Sequence, residues 1–232
     1  MHKVKWLGHS CCQIISQEGK VILIDPWITG NPTCPVKKED LGHVDIILVT
    51  HDHFDHIGTD IPAIVTATGA TVVVQPELIN EIQTAGVERS NIISYGMGMN
   101  IGGTVEIKGI KITMTQAQHT SATGTPCGYI VTLEDGKTIY HAGDTSIFAG
   151  MQLLGEIYNI ELALVPIGSV FVMDPVQAAY SLKLLNPKVA IPIHYATFPI
   201  LTQDASEFVK LAEEKAPGTK VAVLKPGGEV II

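Results

Sequence analysis

Short apolar runs rich in β-branched residues recur along the whole chain, punctuated by Gly, Pro, Asn and Asp. Runs of four to eight such residues between turn formers are the pattern of strands with one or both faces buried. They predict strands over residues 21–24, 45–50, 71–75, 104–115, 129–133, 137–141, 162–166, 189–193, 221–224 and 229–232. Glu134-Asp135-Gly136-Lys137 lies between two of these runs and predicts a hairpin, because Asp-Gly supplies the positive φ of a tight turn.

Helical spacing interrupts the strands. Asp174-Pro175 is an N-cap followed by a first-turn proline, Val176, Ala179, Tyr180 and Leu184 share a face, and Asn186-Pro187 is a stop. Residues 204–216 repeat the pattern with Ala205, Phe208, Val209 and Ala212 inward, and helices are expected over 60–68 and 76–85. No linker, low-complexity run or internal repeat breaks the series. The expectation is one domain over 1–232, with sheets packed together and covered by helices.

Composition sharpens this reading. Only 16% of residues are charged, below the roughly 25% of an average soluble protein, which implies much burial and suggests a homo-oligomer. A net charge of −8 with a single arginine, Arg89, leaves no basic stripe for phosphates, so nucleic acid is not an expected partner. No apolar run is long enough for a membrane span, and Met1-His2-Lys3-Val4-Lys5-Trp6 lacks a signal-peptide core, giving the expectation of a cytoplasmic protein. Cys11, Cys12, Cys34 and Cys127 have no CxxC spacing and read as inert thiols.

Chemistry concentrates after the strand at 45–50. His51-Asp52-His53-Phe54-Asp55-His56 places three histidines and an aspartate within six positions, a match expected by chance in about one of two thousand chains of this composition. Ligands leaving a strand end into a loop can converge on one point, whereas within a strand they would alternate between faces. His119, Asp144 and His194 also stand just after predicted strands. These seven nitrogen and oxygen donors suit Zn²⁺, Mn²⁺, Fe²⁺ or Ni²⁺, and their number suits two divalent ions if Asp144 bridges them.

The order H-x-H-x-D-H, His, G-D-T, His resembles the metallo-β-lactamase superfamily over essentially the whole chain. Trp6-Leu7-Gly8-His9-Ser10, Ile24-Asp25-Pro26-Trp27 and Ile193-His194-Tyr195 are similar to its stand-alone metal-dependent hydrolases related to ascorbate-6-phosphate lactonase. The resemblance implies an α/β, four-layer αββα sandwich of two mixed sheets flanked by helices. It implies that His51, His53 and His119 hold one ion, Asp55, His56 and His194 the other, and Asp144 both. Asp stands where true β-lactamases carry a cysteine ligand, which points to a small ester, lactone or phosphodiester cleaved by a metal-bridging hydroxide. Asp55, Asp144 and His194 are then the catalytic candidates, with Asp55 also able to act as a base.

Around them, Asp25 is expected to orient a ligand histidine. His9 and His141 either line the pocket, hydrogen-bond a ligand or serve structure, while Tyr195, Thr197 and Phe198 either shape the pocket or simply pack. His2 and His43 are expected at the surface. Two other readings stay open: a mononuclear-iron oxidoreductase of the sulfur-dioxygenase type, which keeps H-x-H-x-D-H, and a non-catalytic metal-dependent sensor. His53 argues against the flavodiiron type, which resembles H-x-E-x-D-H.

Overall fold

The apolar runs pair into two sheets in a computed structural model that describes all 232 residues. In chain order the elements are β1 (Lys3–Trp6), β2 (Cys12–Ile15), β3 (Val21–Ile24), β4 (Ile46–Leu48), α1 (Phe54–Ile57), α2 (Ile61–Thr68), β5 (Thr71–Val73), α3 (Ile79–Thr84), α4 (Ile93–Gly96), β6 (Thr104–Ile107), β7 (Ile110–Gln116), β8 (Cys127–Thr132), β9 (Thr138–His141), α5 (Gly150–Ile157), β10 (Ile160–Pro166), α6 (Pro175–Leu185), β11 (Val189–Ile193), α7 (Ser206–Lys215), β12 (Lys220–Val221) and β13 (Glu229–Ile231). The first sheet has the order β13-β1-β2-β3-β4-β5 and the second β12-β11-β10-β9-β8-β7-β6. Both are mixed, with β3, β4 and β5 parallel in one and β9 to β12 parallel in the other.

Neighbouring residues of β3 and β4 serve two cores. Ile22, Ile24, Ile46 and Leu48 pack with Ile112, Tyr129 and Ile139 of the second sheet, while Leu23 and Ile47 pack with Ile61, Ile64 and Val65 of α2. Burial on both faces explains why these strands are continuous apolar runs rather than alternating ones. On the other side of the second sheet, Ala178, Leu182 and Leu185 of α6 and Phe208 and Ala212 of α7 complete the αββα layering. No helix is long and apolar enough to cross a membrane.

Several elements differ from the sequence expectation. The run at 104–115 is two strands, because Lys108 (φ 53°) and Gly109 (φ 84°) form a two-residue turn between Ile107 and Ile110. The α6 cap is as expected, with Asp174 accepting from Gln177 N at 2.7 Å, but its buried face is set by Ala178, Leu182 and Leu185. Val176 and Tyr180 are exposed, since α6 packs on both α5 and α7 and leaves those positions outside. His2 is buried rather than at the surface: β1 pairs with β13, and the imidazole meets Asp135 of the β8–β9 turn at 2.9 Å. His43 is exposed.

The topology positions the chemistry. The carboxyl ends of β3, β4, β7, β9, β10 and β11 lead into Asp25, His51, His119, Asp144, Gly168 and His194, so six loops meet along one sheet edge. A crevice outside the carboxyl ends of strands is the usual ligand site of α/β sheets.

Candidate metal centre

All seven predicted donors come together, five of them lining one cleft and His51 and His56 buried beside it. His51 Nε2 lies 3.0 Å from His53 Nδ1, which is 3.3 Å from His119 Nε2. Bonds of roughly 2.0–2.1 Å at tetrahedral angles hold neighbouring nitrogens about 3.3 Å apart, so this spacing fits an ion. Thr50 Oγ1 donates to Asp25 Oδ2 at 2.7 Å, so it accepts from His51 Nδ1 at 2.9 Å and leaves Nε2 with its lone pair toward the cleft. Burial, followed by the neighbouring His56, lowers the His51 pKa to about 2, and burial also lowers that of His119. Neutral imidazoles with lone pairs converging are the state that binds a cation.

The second group is more enclosed. His56 donates from Nδ1 to Asp25 Oδ2 at 2.7 Å, leaving Nε2 3.2 Å from Asp144 Oδ2. His194 Nε2 approaches the same oxygen at 3.0 Å and His119 Nε2 at 3.6 Å, so Asp144 stands between the groups. Burial disfavours charge on His56, but Asp144 and Asp25 outweigh it and raise its pKa well above the imidazole range. The Asp144 carboxyl is held well below its ordinary range, because His194 and His56 overcome the upward push of burial. His56 Nε2, Asp144 Oδ1 and His194 Nδ1 are buried without hydrogen-bond partners. Orphaned polar atoms of this kind are costly unless a ligand satisfies them, and one of the three, His56 Nε2, faces Asp144 Oδ2 at 3.2 Å.

His9 joins this group: its Nε2 is 3.1 Å from Asp55 Oδ2, its Nδ1 is 3.0 Å from Thr197 Oγ1, and its ring lies 3.9 Å from that of His194. Burial lowers its pKa to about 4 against the pull of Asp55. The Asp55 carboxyl, pushed up by burial, is brought below its ordinary range chiefly by that hydrogen bond. Donor atoms of His9, Asp55, His56 and His194 all lie within 4.8 Å of one another, as do those of His51, His53 and His119 and those of His51, His56 and Asp144.

Backbone strain accompanies this packing. His9 (φ 52°), Asp25 (φ 48°) and His194 (φ 57°) occupy the left-handed region, which costs a non-glycine residue about 1 kcal/mol or more and persists only where surroundings enforce it. The His9 carbonyl accepts from Trp6 Nε1 at 2.7 Å and from His194 N at 2.9 Å, locking two of the three together. Gly168 must be glycine, since a Cβ there would stand 2.9 Å from His194 Nδ1 and closer still to the His194 carbonyl.

The remaining sequence candidates are separated by the geometry. Asp25 binds His56, Thr50 Oγ1 and Thr50 N, the last at 2.8 Å, so it reaches one group directly through His56 and the other through Thr50 and His51. His141 is buried outside the cleft, with Nε2 donating to Ser10 O at 3.0 Å and Nδ1 accepting from Gly143 N at 3.1 Å, which steadies the turn carrying Asp144. Tyr195 does not line the cleft; the left-handed His194 turns the chain so that it stacks on Trp6 at 5.2 Å. Two residues had no sequence signal. Asp52 turns away to accept from Ala122 N and Thr123 N, fixing the loop after His119, and Asp60 accepts from Ile28 N, Thr29 N and Thr29 Oγ1, fixing the loop that carries Trp27. The cleft has a volume of about 280 Å³, with His53, Asp55, His119, Asp144 and His194 inside and Phe54, Thr120 and Phe171 at its mouth.

Comparison with known proteins places this geometry in context. The family described as the β-lactamase superfamily domain matches residues 20–195. A metal-dependent hydrolase of Nitratidesulfovibrio vulgaris is 46% identical over 97% of this chain and 93% of its own length. One from Caldivirga maquilingensis is 45% identical over 98% and 96% respectively. Among solved structures, Igni18, a metallo hydrolase from the hyperthermophilic archaeon Ignicoccus hospitalis, superposes with a TM-score of 0.88 at 39% identity, covering 99% of this chain and 97% of that one.

Proposed function

This chain belongs to the β-lactamase superfamily and is a metal-dependent hydrolase, and from that premise we propose that it cleaves a small ester-like, lactone or phosphodiester-type substrate at a two-ion centre. His51, His53 and His119 would hold one ion, Asp55, His56 and His194 the other, and Asp144 both. The observation that carries this reading is the Asp144 carboxylate, whose Oδ2 lies 3.2, 3.0 and 3.6 Å from His56, His194 and His119 Nε2 and so reaches both groups. The all-nitrogen-and-oxygen donor set accepts Zn²⁺, Mn²⁺, Fe²⁺ or Ni²⁺.

When bound, two such ions would supply Lewis acidity at the scissile oxygen and lower the pKa of a bound water toward neutrality. The protein's own part is orientation. Asp25 fixes the tautomer of His56 directly and that of His51 through Thr50. His9 holds one oxygen of Asp55 by hydrogen bond and leaves the other for a ligand or for a proton from substrate water. None of the residues lining the cleft is a serine or cysteine nucleophile, in keeping with direct attack by water.

The test is turnover of ester, lactone and phosphodiester panels by protein purified without chelators. Cleavage in at least one panel is expected, falling at least about a hundredfold in Asp144→Ala. Metal-replete protein that cleaves none of them, or an Asp144→Ala variant with undiminished turnover, would contradict the proposal.

A further inference from the structure

The cleft's surroundings are one-sided in chemistry. Its loops, residues 25–36, 50–60, 116–126, 142–149, 166–174 and 194–205, contain no lysine or arginine, although the chain has 15 of them elsewhere. Four of the chain's five phenylalanines lie in these loops together with Trp27: Phe148, which is buried in the core, and Phe54, Phe171 and Phe198. Phe54 lines the cleft and is backed by the buried Trp27, which meets it edge-on at 5.7 Å, stacks with Phe198 at 6.0 Å and has His9 at 5.3 Å. Phe171 lines the same cleft from the β10–α6 loop. Phe54 and Phe171 are 68% and 54% exposed, a large apolar area beside a reactive centre.

Charge complementarity points the same way. Recognition of a phosphate group ordinarily uses arginine or lysine aimed at its oxygens, and none is available here. Two divalent ions would bring four positive charges against the three carboxylates Asp25, Asp55 and Asp144, leaving little excess for a multiply charged anion. Resting on the hydrolase reading above, we propose that the substrate is neutral and apolar. It is a carboxylic ester or lactone whose hydrocarbon part lies between Phe171 and Phe54, the latter backed by Trp27. The reaction consumes one water: its oxygen bonds to the acyl carbon, the acyl carbon–oxygen bond breaks, and the released oxygen takes a proton. The products are a carboxylic acid, which ionises, and an alcohol, or a single hydroxy acid from a lactone, with no change in oxidation state.

The test uses binding as well as turnover, on the metal-containing protein as isolated. Acetohydroxamate, hexanohydroxamate and succinic monohydroxamate share one metal-binding head and differ in tail length and charge; calorimetry gives their Kd values. Each methylene taken from water should tighten binding about two- to fourfold, so hexanohydroxamate is expected to bind at least about fifteenfold more tightly than acetohydroxamate. The anionic tail is expected to bring no gain. Phe54→Ala and Phe171→Ala should each remove much of the tail-length gain while leaving acetohydroxamate within about twofold, which separates loss of the apolar contact from loss of the metal centre. Equal Kd values, preference for the succinic tail, or a gain untouched by both variants would overturn the proposal. Turnover of p-nitrophenyl acetate and hexanoate is read separately. Turnover with tail-independent binding overturns only the apolar cleft, tail-dependent binding without turnover overturns only the hydrolase reading, and no hydroxamate binding at all overturns both.

Discussion

The two ends of β4 handle buried charge in opposite ways. At its amino end, Asp45 is satisfied within the protein: Lys108 Nζ donates at 2.6 Å, His43 Nε2 at 3.1 Å and Val21 N at 3.0 Å, so the turn between β6 and β7 is tied to the first sheet. At its carboxyl end, Asp25, His51, His56 and Asp144 crowd together without a lysine or arginine, and buried atoms of His56 and Asp144 have no partner. One end is closed by a resident cation and serves stability. The other gathers imidazole and carboxylate donors within 4.8 Å of one another, an arrangement suited to holding a cation.

The comparison breaks most severely at Asp25. Asp25→Ala removes the acceptor of His56 Nδ1, Thr50 Oγ1 and Thr50 N at once inside the protein. Stripping a buried hydrogen-bonded charge network of one partner costs about 3–5 kcal/mol. For a chain of this size that lowers Tm by roughly 6–20 °C, readable by calorimetry, together with loss of bound metal.

Chelation acts on one end alone. An ion at about a hundred times its Kd adds about 2.7 kcal/mol to the folded state, so EDTA should lower Tm by several degrees and the original metal restore it. A Tm indifferent to chelator would mean that the carboxyl end of β4 is closed by the protein itself.

Acid acts on the other end. Burial would raise the Asp45 pKa, but the hydrogen bond from Lys108, with those from Val21 N and His43, holds it at about 2 against an ordinary 3.8. Its contribution, about 2 kcal/mol, is therefore complete above roughly pH 4 and disappears as pH falls through 2. Denaturant titrations of Asp45→Asn and of the unaltered chain should differ at pH 7 and converge toward pH 2. The smallest effect on stability is expected at His53, which is half-buried and whose side chain hydrogen-bonds only the imidazoles of His51 and His119. His53→Ala should leave the stability of the metal-free protein within about 1 kcal/mol while removing an ion and most turnover.

The legibility of the molecule divides along similar lines. The convergence of the seven candidate residues could be read because each follows an apolar strand in a short polar motif, and the strand ends bring them together. Their supports were harder to see. His9 reaches Asp55 across 46 positions, and its left-handed backbone has no mark in the sequence. Tyr195 follows a donor directly, yet the turn at His194 sends it to Trp6, and His2 is buried only because β1 pairs with the chain's last strand. Among the elements, β1 and β2 are four residues each, too short for a secure period, and α1 is a single turn. Helix α5 was hidden by its glycines; Gly155 is required there because a Cβ would stand 2.6 Å from the Leu184 carbonyl of α6.

Elemental analysis tests the central claim most directly: metal per chain in protein purified without chelator or metal-binding tag, beside His51→Ala and His194→Ala. The account predicts close to two divalent ions per chain, with about one lost in each variant. A single ion retained in His194→Ala and lost in His51→Ala, or no metal at all in the unaltered protein, would contradict it.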